Sequence, residues 1–319
     1  MRYMALMKYA RIPVELNKDG VQEVTIITDT GIEPEVADAL AAAAYELGLE
    51  PTITVMIRRP VHGLEPTRVI AQGVLGSQLM LFATSTGFAH TTCVRTALKQ
   101  GIKYIGMPEI SIETLPEGAA TADYAEVGRI TREVAALLTA GSQVRITSEL
   151  GTDLTFSIAD RPCFELAGVF RPGTIGCFPD GEAAMAPVEG TANGTVVVDS
   201  SIHQVGMLKE AVIWRFEQGK VVEISGGQQA AQLKAVLKER GDENSFVLGE
   251  FAVGTNPRAR HGTTVSEDKK RIGSIHLALG DNLTLAGKNE SCSHLDGVLG
   301  RPSLWVDQKL IIDKGKFVF

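Results

Sequence analysis

The sequence predicts a two-domain protein, with an α/β domain that has a parallel sheet in a three-layer arrangement, followed by a β-rich α+β domain. The chain has 319 residues, enough for two cores of ordinary size. Its first part alternates short apolar runs with helical segments, a pattern typical of a parallel sheet covered on both faces. After Gly141, glycine-containing hairpin signals dominate. We therefore assign residues 1–140 to the α/β domain and residues 141–319 to the β-rich domain.

Four strands and four helices are predicted to alternate along the first domain. The strands are short runs rich in β-branched and other apolar residues, and the first helix is rich in alanine. The predicted strands span 24–28, 52–56, 78–83 and 103–106, and the predicted helices span 33–47, 67–76, 91–99 and 123–139. No GxGxxG or Walker-type sequence follows the first strand, so the pattern gives no sign of a phosphate-binding loop.

Paired strands around tight turns are predicted in the second domain. The turns are expected at Gly151, Gln218-Gly219 and Lys314-Gly315. The strands flanking them span 143–147 and 153–157, 211–216 and 220–224, and 310–312 and 316–319. One helix, 228–240, interrupts this β-rich half.

The composition indicates a globular enzyme and excludes several classes of partner. The net charge of −7, with no run of Lys or Arg, argues against nucleic acid. No apolar run reaches the roughly 18 residues that a membrane span needs, and residues 1–12 lack the features of a signal peptide. The four cysteines are scattered, which favours free thiols in a reducing cytoplasm. We expect a cytoplasmic protein with a small-molecule or short-peptide substrate.

The segment between Ile272 and Gly297 concentrates residues that can bind metal ions. It contains His276 and, further on, His294-Leu-Asp296, so two of the six histidines in the chain lie here. In an extended strand, residues separated by one position turn their side chains to the same face. His294 and Asp296 can therefore present an imidazole nitrogen and a carboxylate oxygen to one divalent cation.

Two further carboxylates stand in unusual sequence settings. Glu250 lies in an otherwise apolar run, where a lone buried charge is costly unless it is paired or bound to a cation. Glu182 lies in a loop rich in proline and glycine, the kind of segment that presents side chains into sites. With His276, His294 and Asp296 they make five donors. That number fits two metal ions sharing a bridging carboxylate and a water nucleophile.

Each of these residues also has a purely structural interpretation. A single histidine is more often hydrogen-bonded in the structure than bound to a metal. Asp296 is also compatible with capping a turn before Gly297, Glu250 with an ion pair to Arg258 or Arg260, and Glu182 with a solvated loop. The combination of all five residues, rather than any one of them, predicts the metal centre.

The other four histidines are weaker candidates. His90 follows the third predicted strand, and ligands bind at the carboxyl edge of open parallel sheets, so a catalytic role or none is equally compatible. His203 is also a candidate catalytic residue, and it and His261 are compatible with contacts to the substrate or around the metal, although a structural role is the simpler interpretation. His62, beside Gly63, is predicted to lie on a surface loop.

The residues that carry this pattern resemble the thermophilic metallo-aminopeptidases of the aminopeptidase T and aminopeptidase S group. The matching stretches, in the same order along the chain, are Phe178–Glu182, Gly249–Gly254 with Asn256-Pro257, Glu267–Asn282 and Ser293–Asp296. The resemblance covers about residues 140–300 well. It implies a dinuclear site for zinc, cobalt or manganese whose ligands are Glu182, Glu250, His276, His294 and Asp296. It also suggests a homodimer.

One departure from this group bears on the reaction. Those aminopeptidases carry a tyrosine shortly after the His-x-Ala-Leu-Gly motif, whereas Asp281-Asn282 follow it here and all five tyrosines precede residue 125. The resemblance therefore implies the metal centre more firmly than the hydrolysis of general peptides.

A second, more distant resemblance is to the 2,5-dihydroxypyridine dioxygenases, which end in a similar His-x-Asp. That group holds one Fe(II) with two histidines and one aspartate, and has a histidine where this chain has Glu250. Since the set here is rich in carboxylates, we expect a dinuclear metallohydrolase of amide or peptide bonds. The alternatives are a mononuclear Fe(II) dioxygenase that cleaves a hydroxylated pyridine, and a non-catalytic protein whose metal serves structure.

Overall fold

The protein divides into two compact units, described here from a computed structural model that covers residues 2–319, with side chains from residue 4 onward. The first unit comprises the chain up to Tyr124 together with Leu166–Asp180, and the second comprises Ala125–Glu165 and Gly181–Phe319. These segments differ from the predicted domains 1–140 and 141–319. The difference arises because the helix before residue 140 packs its Val134 and Leu138 into the core of the second unit.

The first unit contains a four-stranded parallel sheet, as predicted. Its strands β1 and β3 are central. The sequence of β3 is entirely apolar and fully buried, and β1 buries Val24, Ile26 and Ile27. In chain order the strands are β1 Glu23–Asp29, β2 Glu50–Met56, β3 Leu79–Ala83 and β4 Lys103–Gly106, in the sheet order β2-β1-β3-β4. The helices are α1 Arg2–Glu15, α2 Pro34–Glu46, α3 Arg68–Gly73 and α4 Thr92–Lys99. The three-layer arrangement stays a prediction.

Helix α1 was not among the predicted elements. Its sequence contains Pro13, which has no backbone N–H to donate within the helix and therefore discourages a helical assignment. The signal that identifies it is the four-residue spacing of Leu6, Ala10 and Val14, all of them buried. No helix of the described chain is both long enough and apolar enough to cross a bilayer.

The second unit is built from two large sheets of mainly antiparallel strands, which confirms the predicted β-rich half. The eight-stranded sheet has the order β13-β12-β9-β6-β5-β17-β18-β19, and the seven-stranded sheet has the order β11-β10-β16-β15-β14-β8-β7. The strands of the first are β5 Gln143–Thr147, β6 Asp153–Ser157, β9 Asn193–Val198, β12 Val212–Glu217, β13 Lys220–Ser225, β17 Ser303–Val306, β18 Lys309–Asp313 and β19 Lys316–Phe317. The strands of the second are β7 Phe164–Leu166, β8 Glu182–Met185, β10 Ser201–Ile202, β11 Gly206–Met207, β14 Leu248–Gly254, β15 Ile275–Gly280 and β16 His294–Leu299.

The apolar faces of these two sheets share one core. Phe156 of β6 and Phe251 of β14 meet edge to face with ring centroids 5.2 Å apart, and Trp214 of β12 is buried in the same cluster. Helices α5 Tyr124–Thr139, α6 Gln228–Arg240 and α7 Val265–Lys270 complete the chain. The four cysteines, all within the described residues, are free thiols.

Candidate metal centre

The five candidate ligands lie on one face of four adjacent strands of the seven-stranded sheet. The strands stand in the order β16-β15-β14-β8. In their antiparallel register, Asp296 and Glu250 are both opposite Ala278, while His276 is opposite Ala252 and Glu182 opposite Gly254. Residues directly opposite each other share a face of a sheet, and alternate residues along one strand do so too. The other face of the same strands carries the leucines and valines of the core.

A β-bulge at Gly249 gives Glu250 its orientation. Leu248 is opposite Leu279 and Glu250 is opposite Ala278, so two steps along β14 correspond to one step along β15. Because of the extra residue, Leu248 faces the core and Glu250 faces the ligand side, although regular alternation would put both on one face. Glycine is required at the bulge because a Cβ there would collide with the carbonyl oxygen of Gly280.

The donors form two groups that share Glu250. Glu182, Glu250 and His276 form one group, and Glu250, His294 and Asp296 form the other, with the ligand atoms of each group within 4.8 Å of one another. His294 Nε2 lies 2.8 Å from Glu250 Oε2 and 3.3 Å from Asp296 Oδ1. His276 Nε2 lies 3.4 Å from Glu250 Oε1 and 3.6 Å from Glu182 Oε2.

His294 is held in the orientation that a metal ligand needs. Its Nδ1 lies 2.8 Å from the carbonyl oxygen of Asp281, so Nδ1 carries the hydrogen and donates it to that oxygen. The Nε2 atom is thereby directed at Glu250 and Asp296. A hydrogen bond from the second ring nitrogen is the usual means by which proteins fix the tautomer of a ligating histidine.

Asp296 is fixed through one of its two carboxylate oxygens. His203 Nδ1 and Lys269 Nζ lie 2.9 Å and 3.0 Å from Oδ2, and the His203 amide donates to the Asp296 carbonyl at 2.9 Å. Asp296 Oδ1 is buried and has no hydrogen-bond donor among the described residues. That oxygen is therefore the one available to a cation.

Lys270 contacts the remaining carboxylate. Its Nζ forms an ion pair with Glu182 Oε1, and both side chains are almost fully buried. Glu182 Oε2 and the two ring nitrogens of His276 are buried without a hydrogen-bond partner among the described residues. Buried polar atoms of this kind are normally paired, so their convergence indicates a missing partner such as a metal ion.

The electrostatics keep the carboxylates ionised despite their burial. Burial alone would raise the pKa of Glu250, but the adjacent imidazoles of His276 and His294 outweigh it and hold the pKa well below the usual value. Burial likewise opposes ionisation of Asp296, whose pKa is lowered mainly by Lys269 and His203. Burial would also raise the pKa of Glu182, which Lys270 brings below its ordinary value.

The residues present fit a divalent metal ion. Imidazole and carboxylate are the donors that Fe(II), Mn(II) and Zn(II) accept, and four buried polar atoms at the centre lack a hydrogen-bond partner among the described residues. The two imidazoles approach opposite oxygens of the Glu250 carboxylate. The role of each of the five residues as a ligand remains a proposal, developed below.

The four remaining histidines, which are the weaker candidates, do not all lie near the centre. His203 contacts Asp296 and so adjoins the centre, while His261 lies 3.5 Å from Asp268 and is largely exposed. His90 belongs to the first unit, half-buried in the loop after β3, and is a member of neither donor group. Its catalytic role stays a prediction. His62 accepts a hydrogen bond from the Gly87 amide.

Lys269 and Lys270 were not predicted from the sequence to lie at the metal centre. Two adjacent lysines in the segment Glu267–Arg271 are typical of an exposed helix end, and no periodicity distinguishes them. Their burial depends on where α7 packs, which the sequence pattern does not reveal. One feature of the sequence could have indicated them. The candidate ligands include three carboxylates and no cationic side chain, and buried negative charges need positive partners.

Comparison with known proteins identifies the family. The family model of NicX, 2,5-dihydroxypyridine 5,6-dioxygenase, matches residues 15–319. A relative from Pseudomonas putida KT2440, described as 2,5-dihydroxypyridine 5,6-dioxygenase, is 24% identical over 195 residues. That match covers 57% of this chain and 56% of the relative, so it spans only somewhat more than half of the relative's length.

Two solved structures are similar in fold. The 2,5-dihydroxypyridine dioxygenase from Pseudomonas putida KT2440 has a TM-score of 0.80 and 19% identity, and the match covers 98% of this chain and 96% of that one. AmpT from Thermus thermophilus has a TM-score of 0.71 and 18% identity, with 99% of each chain covered. At these identities the similarity concerns the fold alone. The expected resemblance to the aminopeptidase T group is thus supported as a likeness of structure.

The expected metallohydrolase of amide bonds, with its zinc and peptidase attributes, is contradicted by the family match. The expectation rested on the number of carboxylates. The sequence pattern did not show that Lys269 and Lys270 neutralise two of them, Asp296 and Glu182. The family model matches from residue 15 to the last residue, and the chain therefore belongs to the 2,5-dihydroxypyridine 5,6-dioxygenase family.

Proposed function

We propose that this protein is a metal-dependent dioxygenase that opens the ring of a small hydroxylated pyridine, with Fe(II) held by Glu250, His294 and Asp296. The observation that carries the proposal is the convergence of these three donors on one buried sheet face in a chain of this family. The substrate class is taken from the family and from the Pseudomonas putida relative, which is described as acting on 2,5-dihydroxypyridine.

The donor set differs from the two histidines and one aspartate expected of the family, because Glu250 stands in place of a histidine. Two contacts make the substitution compatible with iron. His276 approaches Glu250 Oε1, so a second imidazole lies beside the set, and Lys269 offsets the charge of Asp296. The centre therefore combines two imidazoles with carboxylates whose excess negative charge is partly neutralised.

The protein's own groups prepare the site for the reaction. Iron, when bound, supplies a Lewis acid for substrate oxygen and the one-electron chemistry that allows O₂ to react with an aromatic ring. His203 and Lys269 hold Asp296 Oδ2 and so direct Oδ1 toward the metal position. Both side chains are partly exposed, at 21% and 15%. His203 is thus placed to accept the proton of a substrate hydroxyl, and Lys269 to stabilise the resulting oxygen anion.

The experiment is to load purified protein anaerobically with Fe(II) and follow oxygen uptake with 2,5-dihydroxypyridine while monitoring loss of the ring's ultraviolet absorbance. We expect both signals to proceed together in the wild type. His294→Ala, which removes an imidazole donor, should lose both iron and turnover. His62→Ala should retain both, because His62 is not a member of the donor groups.

Two outcomes would reject the proposal. One is iron-loaded protein that consumes no oxygen with this substrate or with its hydroxylated pyridine analogues. The other is conversion that proceeds equally well under strict anaerobiosis. The homodimeric state and the cytoplasmic location remain predictions, and sedimentation of the iron-loaded protein tests the first of them.

A further inference from the structure

Lys270 is buried in a position where lysine is rarely found. Its side chain is 1% exposed, and its Nζ forms an ion pair with Glu182, which is 3% exposed. Lysine is almost never fully buried unless its charge is paired. The partner here is one of the five candidate metal ligands, so the ammonium group occupies part of the donor cluster itself.

The backbone holds Lys270 in place. Helix α7 begins after Thr264, whose Oγ1 accepts a hydrogen bond from the Glu267 amide at 3.1 Å. At the other end, the Lys270 carbonyl accepts from the Asn256 amide at 2.9 Å. Asp268, between these points, accepts hydrogen bonds from Ser201 Oγ at 3.0 Å. These contacts fix the backbone of Lys270, and the burial of its side chain leaves the ammonium group little room to move away from Glu182.

The ammonium group of Lys270 contacts Glu182, which belongs to one of the two donor groups. Glu250, His294 and Asp296 form a group in which Lys269 binds the outer oxygen Oδ2 and leaves Oδ1 to a metal ion. Glu182, Glu250 and His276 form the other, and here Lys270 binds one of the oxygens of Glu182 directly. A divalent cation in this second group would be adjacent to a buried ammonium, and like charges repel strongly at such distances in a low dielectric.

Charge balance leads to the same conclusion. Three buried carboxylates face the ammonium groups of buried Lys270 and of Lys269, which is 15% exposed, and this leaves one net negative charge when the imidazoles are neutral. One divalent ion changes that to a single positive charge. A second divalent ion would leave three positive charges in the same buried cluster, with no further acid among the residues of the two donor groups.

We infer that Lys270 serves as a built-in cation for the Glu182 half of the centre, so that the protein takes one divalent ion and not two. The inference rests on the proposed metal centre and adds that Glu182 is not a ligand. Neutralising Lys270 should open the group of Glu182, Glu250 and His276 to a second ion. Lys270 is in this view a positioning residue, because it acts through Glu182.

The test is to count the Mn(II) and Zn(II) ions bound per chain by elemental analysis after equilibrium dialysis, and to record the electron paramagnetic resonance spectrum of the Mn(II) form. We expect one ion per wild-type chain with the spectrum of an isolated Mn(II). Lys270→Gln should bind two ions and show the altered spectrum of a coupled pair. Lys270→Arg, which keeps the positive charge, should bind one. Lys234→Gln, which removes an exposed positive charge on α6 far along the chain from the donor groups, is the control and should also bind one.

A wild type that binds two ions, or a Lys270→Gln that binds only one, would overturn the inference and leave the proposed function standing. A wild type that binds no ion would instead overturn the proposed function. If Lys270→Gln fails to fold, the charge-balanced double variant Glu182→Gln/Lys270→Met replaces it. That variant should bind one ion with the affinity of the wild type, and loss of the ion from it would overturn the inference.

Discussion

At the scale of single residues, the contacts around the donors matter as much as the donors themselves. His294 is directed by the Asp281 carbonyl, and Asp296 by His203 and Lys269. Each of these contacts occupies one atom of the candidate ligand and leaves the other atom available to a metal ion. Contacts of this type are commonly worth about 10–100-fold in metal affinity.

Metal binding is expected to release a proton from His294. Burial alone would lower the pKa of this imidazole, but the adjacent carboxylates of Asp296 and Glu250 outweigh burial and hold the pKa well above the ordinary value. The metal-free protein therefore carries an imidazolium, whereas a metal ion needs the neutral nitrogen. Affinity should rise by about tenfold per pH unit as the pH increases toward that pKa, and level off above it.

Calorimetric titration in two buffers of different ionisation enthalpy measures the proton directly. The same raised pKa stabilises the metal-free fold at low pH, and this contribution is lost as the pH rises through the folded-state value. His294→Gln should bind metal weakly and without proton release. An affinity independent of pH in the wild type would contradict the prediction.

At the scale of elements, one β-bulge in β14 determines that Glu250 faces the candidate ligands while Leu248 faces the core. In a regular strand, every second side chain faces the same side of the sheet. The extra residue Gly249 shifts this pattern, so that Leu248 and Glu250 face opposite sides. The position lies close to a second important group, because a Cβ on Gly249 would be 3.3 Å from the Asp281 carbonyl oxygen that orients His294.

Gly249→Ala is expected to weaken both the fold and the metal centre. The added methyl group would overlap the Gly280 carbonyl, so the two strands must separate locally, at a cost of about 1–3 kcal/mol in the free energy of unfolding. Urea unfolding and metal titration measure the two effects. The control is Gly73→Ala in α3, where a Cβ meets no atom within 4 Å and stability should stay the same or improve. Unchanged metal affinity in Gly249→Ala would show that the bulge does not control Glu250.

At the scale of the whole molecule, the second unit supports its metal face by packing the opposite face of the same sheet against a second sheet. Phe251 lies in β14, next to Glu250, and its ring meets Phe156 of the eight-stranded sheet. The donor atoms are therefore carried on a layer that is rigid because its other side is part of a close-packed core.

Phe251→Ala should destabilise the protein by about 3–5 kcal/mol, because it removes a fully buried ring from the centre of this core. Denaturant unfolding of the metal-free protein is the measurement. Val222→Ala on β13 is the control, since that side chain is 47% exposed and its truncation should change stability by less than about 0.5 kcal/mol. Equal effects of the two substitutions would mean that the sheets do not depend on this contact.

Much of the fold could be predicted from the sequence, since local periodicity is a property of short segments. The predicted strands 143–147 and 153–157 coincide with β5 and β6, and the predicted helix 228–240 coincides with α6. Helix α1 was missed because Pro13 obscured a regular spacing of buried residues. The domain limits differed because α5 packs into the core of the second unit, and such packing depends on residues far away in the chain.

The sequence by itself identified the candidate donors, because histidine and carboxylate side chains and their spacing on a strand are local facts. His294 and Asp296 necessarily share a face of the sheet once their segment forms a strand. Only the tertiary structure decided which of those donors meet and what else meets them. Strand order brought Glu182 and Glu250 to His276, and the packing of α7 placed two ammonium groups among the acids. The charge of the centre depends on those long-range contacts, which is why counting carboxylates along the chain led to a hydrolase while the protein belongs to a family of dioxygenases.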